Sequence, residues 1–261
     1  CIHVKEMASE RDPLLSPKEG DDDFIQCPQK KSTICHSITT GTEIVVTVYM
    51  FYYAGSLPLI NQFIYVKLAH EMNYTGPLPN SPNTSREECL EKNMSTFHLQ
   101  QALLQDRASF WSLMNTVVTI FPALFSCVIL GAYSDRAGRK IAMVLPIIGS
   151  VLAMILYVII MVLELHIAFI FIPGFITGLF GTTAVLLLGC FSHMADRTSK
   201  LDRSIRIVIL EVCIGIGVVS SQIGFGVIIR YLGYLWPFAM LAGMNFLLLF
   251  YVVFRVKETV V

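Results

Sequence analysis

The chain has 261 residues, of which 54% are hydrophobic and only 15% are charged, and its mean hydropathy is +0.64. Soluble domains carry about 25% charged residues, so this composition is typical of a membrane protein and excludes an ordinary soluble domain. The net charge is zero, which argues against a nucleic acid as partner. The seven cysteines show no Cys-x-x-Cys spacing, so they predict neither a zinc site nor a redox motif.

Residues 1–43 form a polar tail that contains the acidic cluster 21–23 and several prolines. Such a segment cannot bury a core, so we predict a disordered cytoplasmic tail. Within it, the segment from Glu10 to Leu15 fits an acidic dileucine signal, in which Glu10, Leu14 and Leu15 direct sorting to endosomes and lysosomes. The alternative is a chance match in a flexible tail.

Six apolar runs follow the tail, and each is long enough to cross a bilayer core, which takes about 20 residues in a helix. The runs are 44–66, 108–134, 141–163, 167–192, 207–229 and 231–254. Only the fifth run contains a charged residue, Glu211. We therefore predict an all-α integral membrane protein, with a six-helix bundle over 44–254 and a short cytoplasmic end at 255–261.

The basic residues of the loops predict the orientation of this bundle. With the N-terminus in the cytoplasm, 14 of the 19 Lys and Arg residues fall on the cytoplasmic side. The loop 193–206 carries four of them, whereas the opposite loop 164–166 carries none. Short loops rich in Lys and Arg stay inside, so both termini are predicted to be cytoplasmic.

The outer loop 67–107 is then the place for extracellular or lumenal modification. It contains three glycosylation sequons, at Asn73, Asn83 and Asn93. Cys89 lies in the same loop, in an oxidising compartment. A disulfide at Cys89 needs a partner outside this chain, and the alternative is a free thiol.

The turn between the second and third runs has the sequence GAYSDRAGRK at residues 131–140. It fits G-x-x-x-D-R-x-G-R-K and resembles the signature that joins the second and third helices in the major facilitator superfamily. From the residues alone, Asp135 can cap the third helix or pair with a cation on a neighbouring span, and Gly138 permits a tight turn. The alternative is a basic turn without a conformational role. The resemblance implies a conformational latch made of Gly131, Asp135, Arg136, Gly138, Arg139 and Lys140.

A finer resemblance covers most of residues 44–254. It rests on the short segments 58–63, 73–75, 114–115, 205–206, 210–211, 233–234 and 237–238. Together they look like solute carrier family 46, which contains the proton-coupled folate transporter and the thymic stromal cotransporter. Members of that family have twelve helices, so the chain resembles their N-terminal half, and a C-terminal six-helix half is the expected partner.

Glu211 is the candidate for proton coupling. A charged residue near the middle of a span costs about 2.5–3.5 kcal/mol to insert, and such residues often relay protons. The resemblance implies the same role, because an acid at the matching position of the folate transporter is implicated in proton coupling. The alternative is a carboxylate near the inner interface that pairs with Arg206 or with an arginine of the 131–140 turn.

The fourth run departs from the folate transporter in two places. It has Thr182 where that protein has an intramembrane acid, and Gly174 where many facilitators have an arginine, which weakens a folate assignment but not the fold. Amides and hydroxyls inside spans need partners, so they are expected to face the bundle interior as substrate-binding groups or as bonds between helices. The candidates for substrate binding are Asn61, Gln62, Asn115, Thr182 and Gln222.

These features predict a proton-coupled secondary transporter that moves an organic anion, folate-like or another conjugated metabolite, by alternating access. Its partners are the anion, the lipid bilayer and the C-terminal half, with protons as coupling ion and no cofactor. The plasma membrane and the endosome or lysosome both fit, and the dileucine segment favours the latter. The alternative is a truncated half that transports nothing and has a regulatory role or none. The sequence shows no catalytic motif and no arginines in the fourth run, which argues against an enzyme and a voltage-gated channel.

Overall fold

The computed structural model describes residues 41–72, 94–198, 203–232 and 235–256, and the regular structure in these ranges is helical throughout. A 3-10 turn at Ile167–Ile170 precedes the fourth of the seven α-helices found there. The helices are α1 (Thr42–Glu71), α2 (Met94–Ala137), α3 (Arg139–Val162), α4 (Phe171–Leu179), α5 (Thr182–Arg197), α6 (Arg203–Leu232) and α7 (Leu235–Arg255).

In the described part of the chain, six helical segments are long and apolar enough to cross a membrane, and α4 and α5 together belong to one of them. The predicted all-α membrane fold is thus confirmed. The bounds differ from the predicted runs at most helix ends; for example, α2 already begins at Met94, and α6 continues to Leu232, past the predicted start of the last run. The predicted sorting residues Glu10, Leu14 and Leu15, the sequons at Asn73, Asn83 and Asn93, and Cys89 lie outside the described residues.

Proline interrupts the hydrogen bonding of α1, and a neighbouring helix compensates. Pro58 lies inside α1 and has no N–H, so the carbonyl four residues earlier, that of Ala54, loses its helical donor. The side chain of Gln222 on α6 donates from Nε2 to this carbonyl over 2.8 Å. Helix-breaking residues are tolerated in membrane spans where neighbouring helices satisfy the freed backbone groups in this way.

The fourth crossing, Ile167–Arg197, includes the predicted run 167–192, but its helix is not continuous. The helix breaks between α4 and α5, where Gly181 has φ 95° and Thr182 has φ 52°. Two side chains of α2 bond to carbonyls at the break: Ser126 Oγ donates to Leu179 over 2.7 Å, and Cys127 Sγ donates to Gly181 over 3.7 Å. These bonds from α2 explain why the break is tolerated at membrane depth.

The helices differ in how much of their surface the bundle covers. α1 packs against α6 and α7, α3 packs against α4, α5 and α7, and α2 packs against α4. An aromatic cluster joins three of them, with the ring centroid of Phe238 5.5 Å from Tyr157 and 5.9 Å from Phe63. In the most apolar stretch of each helix, 56% is buried within the bundle in α1 and in α3, but only 22% in α2 and 17% in α6. α2 and α6 therefore present broad apolar faces to the outside.

Candidate functional site

An open cavity of about 400 Å³ lies between α1, α2, α3, α4 and α5. Its volume falls within the range of about 300–1,000 Å³ that is typical of small-molecule sites. The break between α4 and α5 contributes Thr182 and Thr183 to its wall. Within the described part of the chain, the lining consists of apolar side chains, hydroxyls and amides, and no charged side chain belongs to it.

Three of the five predicted substrate-binding residues line this cavity, namely Asn61, Asn115 and Thr182. Asn61 is held in place because Ser112 of α2 donates a hydrogen bond to its Oδ1 over 2.6 Å. The other two, Gln62 and Gln222, are not among the lining residues. Gln222 bonds to the carbonyl of Ala54, so its observed contact joins two helices.

Four tyrosines form a large part of the cavity wall, and sequence reasoning missed them. Tyr49, Tyr52 and Tyr53 come from α1, and Tyr157 comes from α3. The rings of Tyr49 and Tyr52 lie 5.5 Å apart between centroids. The signal was present in the sequence, because positions 49, 52 and 53 follow the i, i+3, i+4 spacing that places side chains on one face of a helix.

Asn115 and Thr183 lie next to two of these tyrosines. Their side-chain oxygens are buried, and Asn115 interacts with Tyr157 and Thr183 with Tyr49 through hydrogen bonds. Leaving a buried polar atom without a partner costs about 1–3 kcal/mol, so these contacts stabilise the cavity wall.

Gly174 allows α4 to approach α2 beside Asn115. A Cβ atom at position 174 would lie 2.7 Å from Asn115 Oδ1 and 2.9 Å from Thr119 Oγ1. Real Cβ atoms essentially never come this close to another heavy atom, so a side chain at position 174 would displace the amide. Position 174 is the one at which many facilitators are expected to carry an arginine. Here the space that such a side chain would need is occupied by the neutral side chains of Asn115 and Thr119.

Glu211, the predicted proton-coupling residue, lies exposed on α6 and is not part of the cavity lining. The alternative prediction paired Glu211 with Arg206. In the structure Arg206 instead faces α1, with its Nη1 3.6 Å from Oε1 of Glu43. Glu211 therefore does not contribute to the described wall of the cavity.

The Glu43–Arg206 pair belongs to a buried polar group that sequence reasoning missed. The side chains of Glu43 and Arg206 are only 10% and 13% exposed. Beside them, Thr42 Oγ1 lies 3.2 Å from Nδ1 of the buried His193, which joins α1 to α5. Glu43 was assigned to the polar tail, although an acid in the first turn of a helix is a recognised start signal.

The 131–140 turn lies at the same end of the bundle and forms a second, more exposed charged cluster. Asp135 pairs with Arg139 across the turn, and Nε of Arg139 also lies 3.2 Å from Oδ2 of Asp196 on α5. Lys140 donates from Nζ to the carbonyl of Val253 on α7. The turn thus connects the junction of α2 and α3 to the ends of α5 and α7.

The remaining predicted latch residues differ in their surroundings. Gly138 precedes α3 with φ 109°, a backbone conformation that residues with a Cβ atom rarely adopt. Gly131 faces α5, where an added Cβ atom would lie 3.2 Å from Leu188 Cδ2. Arg136 is exposed.

Comparison with known proteins relates this arrangement to a family of transporters. A family model described as Major Facilitator Superfamily matches residues 89–260. The chain is 29% identical over 219 residues to a lysosomal proton-coupled steroid conjugate and bile acid symporter of Gallus gallus, covering 84% of this chain and 47% of that protein. It is 31% identical over 204 residues to the proton-coupled folate transporter of Rattus norvegicus, covering 78% of this chain and 42% of that protein.

The chain spans about half the length of these relatives. The match covers the N-terminal part of each relative, which is the part that the sequence resemblance predicted. The predicted resemblance to solute carrier family 46 is therefore confirmed.

Proposed function

Because the chain belongs to the major facilitator superfamily, we propose that it forms one six-helix bundle of a proton-coupled symporter for an organic anion. Its relatives include a steroid conjugate and bile acid symporter and a folate transporter, both named as proton-coupled. The substrate proposed here is of the same broad kind, a conjugated or folate-like metabolite. The symporter works by alternating access, in which a second six-helix bundle completes the central site.

The observation that supports this proposal best is the cavity that the five helices α1 to α5 line. In secondary transporters the substrate site lies near the middle of the membrane and is formed in part by discontinuous helices. Here the break at Gly181 and Thr182 contributes to the cavity wall, and the carbonyls beside it are bonded by α2. A broken helix beside a cavity of this size favours a transport site over simple helix packing.

Proton coupling is proposed for Glu211. Its carboxyl group lies within a span, outside the cavity, on the exposed face of α6. Protonation there would remove a charge from a surface that must be covered by lipid or by other helices, and so favour one conformation over the other. The charged groups at the 131–140 end would then control the conformational step without touching the substrate.

The test is uptake into proteoliposomes that hold the protein expressed from its complete reading frame, with and without an inward proton gradient. The probes are a labelled steroid sulfate and a labelled folate. We expect gradient-driven uptake of at least one probe, and its loss in Glu211→Gln. Asp106→Asn is the matched control, because Asp106 is an exposed acid of α2 outside the predicted span.

Two results would contradict the proposal in different ways. If Glu211→Gln retains gradient-driven uptake, proton coupling does not reside at Glu211. If the wild-type protein shows no gradient-driven uptake of either probe, the proposed symport itself is wrong.

The cytoplasmic termini and the dileucine signal complete the proposal. A multi-pass membrane protein of the plasma membrane or of endosomes and lysosomes agrees with the relatives, one of which is named as lysosomal. If the dileucine directs sorting, changing Leu14 and Leu15 to Ala shifts the protein from lysosomes to the cell surface, as fluorescence microscopy would show.

A further inference from the structure

Charge is unevenly distributed among the described residues of the bundle. The ion pairs lie at the helix ends, where Asp135, Arg139 and Asp196 form one cluster and Glu43 and Arg206 form another. The described lining of the central cavity contains no Asp, Glu, Lys, Arg or His. We propose that this cavity binds the uncharged ring system of the substrate, and that the anionic group is held outside it. This inference rests on the proposed transport function and specifies which part of the substrate the chain recognises.

An anionic group inside this cavity would lack a counter-charge. An ionised group removed from water needs a cation or a dense set of hydrogen-bond donors to compensate its lost hydration. Five hydroxyls of the lining already donate their protons to other protein groups, namely those of Ser56, Ser112, Thr116, Thr119 and Thr177. A cationic side chain at position 174 is excluded by its distances to Asn115 and Thr119. The neutral walls therefore disfavour a sulfate or carboxylate in this position.

The same walls suit a flat, uncharged ring body. Aromatic rings come from α1 and α3, and apolar surface comes from Ile60, Leu124 and Met154. Aromatic side chains of this kind pack well against ring systems and keep a polar hydroxyl for orientation. A cavity of about 400 Å³ is large enough for a drug-sized body of several fused rings.

The backbone at Thr182 supports a binding role for this wall. Thr182 has φ 52°, which is rare for a β-branched residue and is most often retained where a site requires it. Asp tolerates this backbone conformation better than Thr does. Thr182→Asp therefore places a negative charge in the cavity wall without a new backbone strain, and Asn115→Asp does so with almost no change in shape.

The experiment measures equilibrium binding to the purified protein from its complete reading frame, by displacement of a labelled steroid sulfate. The competitors are the steroid sulfate, the parent steroid without sulfate, and a one-ring aryl sulfate. We expect the parent steroid to compete within about tenfold of the sulfate, and the aryl sulfate to compete more than tenfold more weakly. Binding is measured without a proton gradient, so a failure of symport does not affect this test.

The two charge variants decide which part of the ligand lies in the cavity. If the ring body lies there, Asn115→Asp and Thr182→Asp weaken the steroid and its sulfate by similar factors, so the ratio of their affinities stays within about twofold of wild type. If the sulfate lies there, the new carboxylate repels it, and this ratio changes by tenfold or more, which overturns the proposal. Unchanged binding of both ligands in both variants also overturns it.

Discussion

The central cavity and the 131–140 end of the bundle are built from opposite chemistry. The described cavity wall is neutral and bonds through hydroxyls and amides, whereas five charged side chains form two clusters of ion pairs at the 131–140 end. A charged side chain at the end of a span can stay hydrated at a small cost in free energy, whereas one at the middle of a span costs much more. Under the proposed function, substrate binding and conformational control are therefore separated by depth in the membrane.

The two charged clusters themselves differ in burial. Arg139 and its acidic partners are partly exposed, with the side chain of Asp135 61% accessible, while Glu43 and Arg206 are almost covered. Exposed ion pairs contribute about 0–1 kcal/mol to stability. Removing one partner of a buried pair costs about 3–5 kcal/mol, because the other charge is left uncompensated. The buried pair should therefore dominate the stability of this end.

The largest expected effect follows from breaking the Glu43–Arg206 pair. Arg206→Met leaves a buried carboxylate without its arginine, so we expect a loss of about 3 kcal/mol in the free energy of unfolding. Thermal unfolding of the purified protein in detergent would measure this loss. Arg203→Ala is the matched control, because Arg203 is exposed at the start of the same helix.

The double variant Glu43→Gln with Arg206→Met sharpens this prediction. Glu43→Gln alone leaves the charge of Arg206 buried, and Arg206→Met removes that charge. The double variant should therefore lose less free energy of unfolding than the two single variants lose together. Purely additive losses would show that the two side chains do not interact.

An intermediate effect is expected in the neutral, central part of the bundle. Gln222→Leu leaves the carbonyl of Ala54 without a donor, because Pro58 offers no N–H, and we expect a loss of about 1–2 kcal/mol. In the Pro58→Ala background, the backbone N–H of residue 58 can bond to that carbonyl. The same Gln222→Leu change should then cost clearly less, and an equal cost in both backgrounds would refute this account.

The smallest effect on stability is expected at Asp135. Asp135→Ala should change the free energy of unfolding by less than about 1 kcal/mol, because the pair with Arg139 is exposed. Its effect on transport should be larger, since the turn connects four helices through Arg139 and Lys140. We expect slower turnover with nearly unchanged substrate affinity. Normal turnover in this variant would argue against the latch.

The sequence predicted the helical elements more completely than the contacts between them. Apolar runs of about 20 residues identify membrane helices with little ambiguity, because backbone groups in lipid must be bonded within the helix. Only some of the amides predicted to bind substrate lie at the cavity. Asn61 and Asn115 line it, whereas Gln222 bonds to the backbone carbonyl of Ala54 on α1. An amide in an apolar run shows that a partner exists, but its partner depends on how the helices are rotated.

The sequence by itself determined the six crossings, the family and the position of the 131–140 turn, because these depend on local composition and on one short motif. Only the tertiary structure decided which polar groups meet. It brought Glu43, read as part of the tail, against Arg206, which had been paired with Glu211 as an alternative. It also placed tyrosines around a cavity beside a broken helix. The physical reason is that periodicity fixes which residues share a face of one helix, whereas the packing angles and rotations of six helices decide which faces come together.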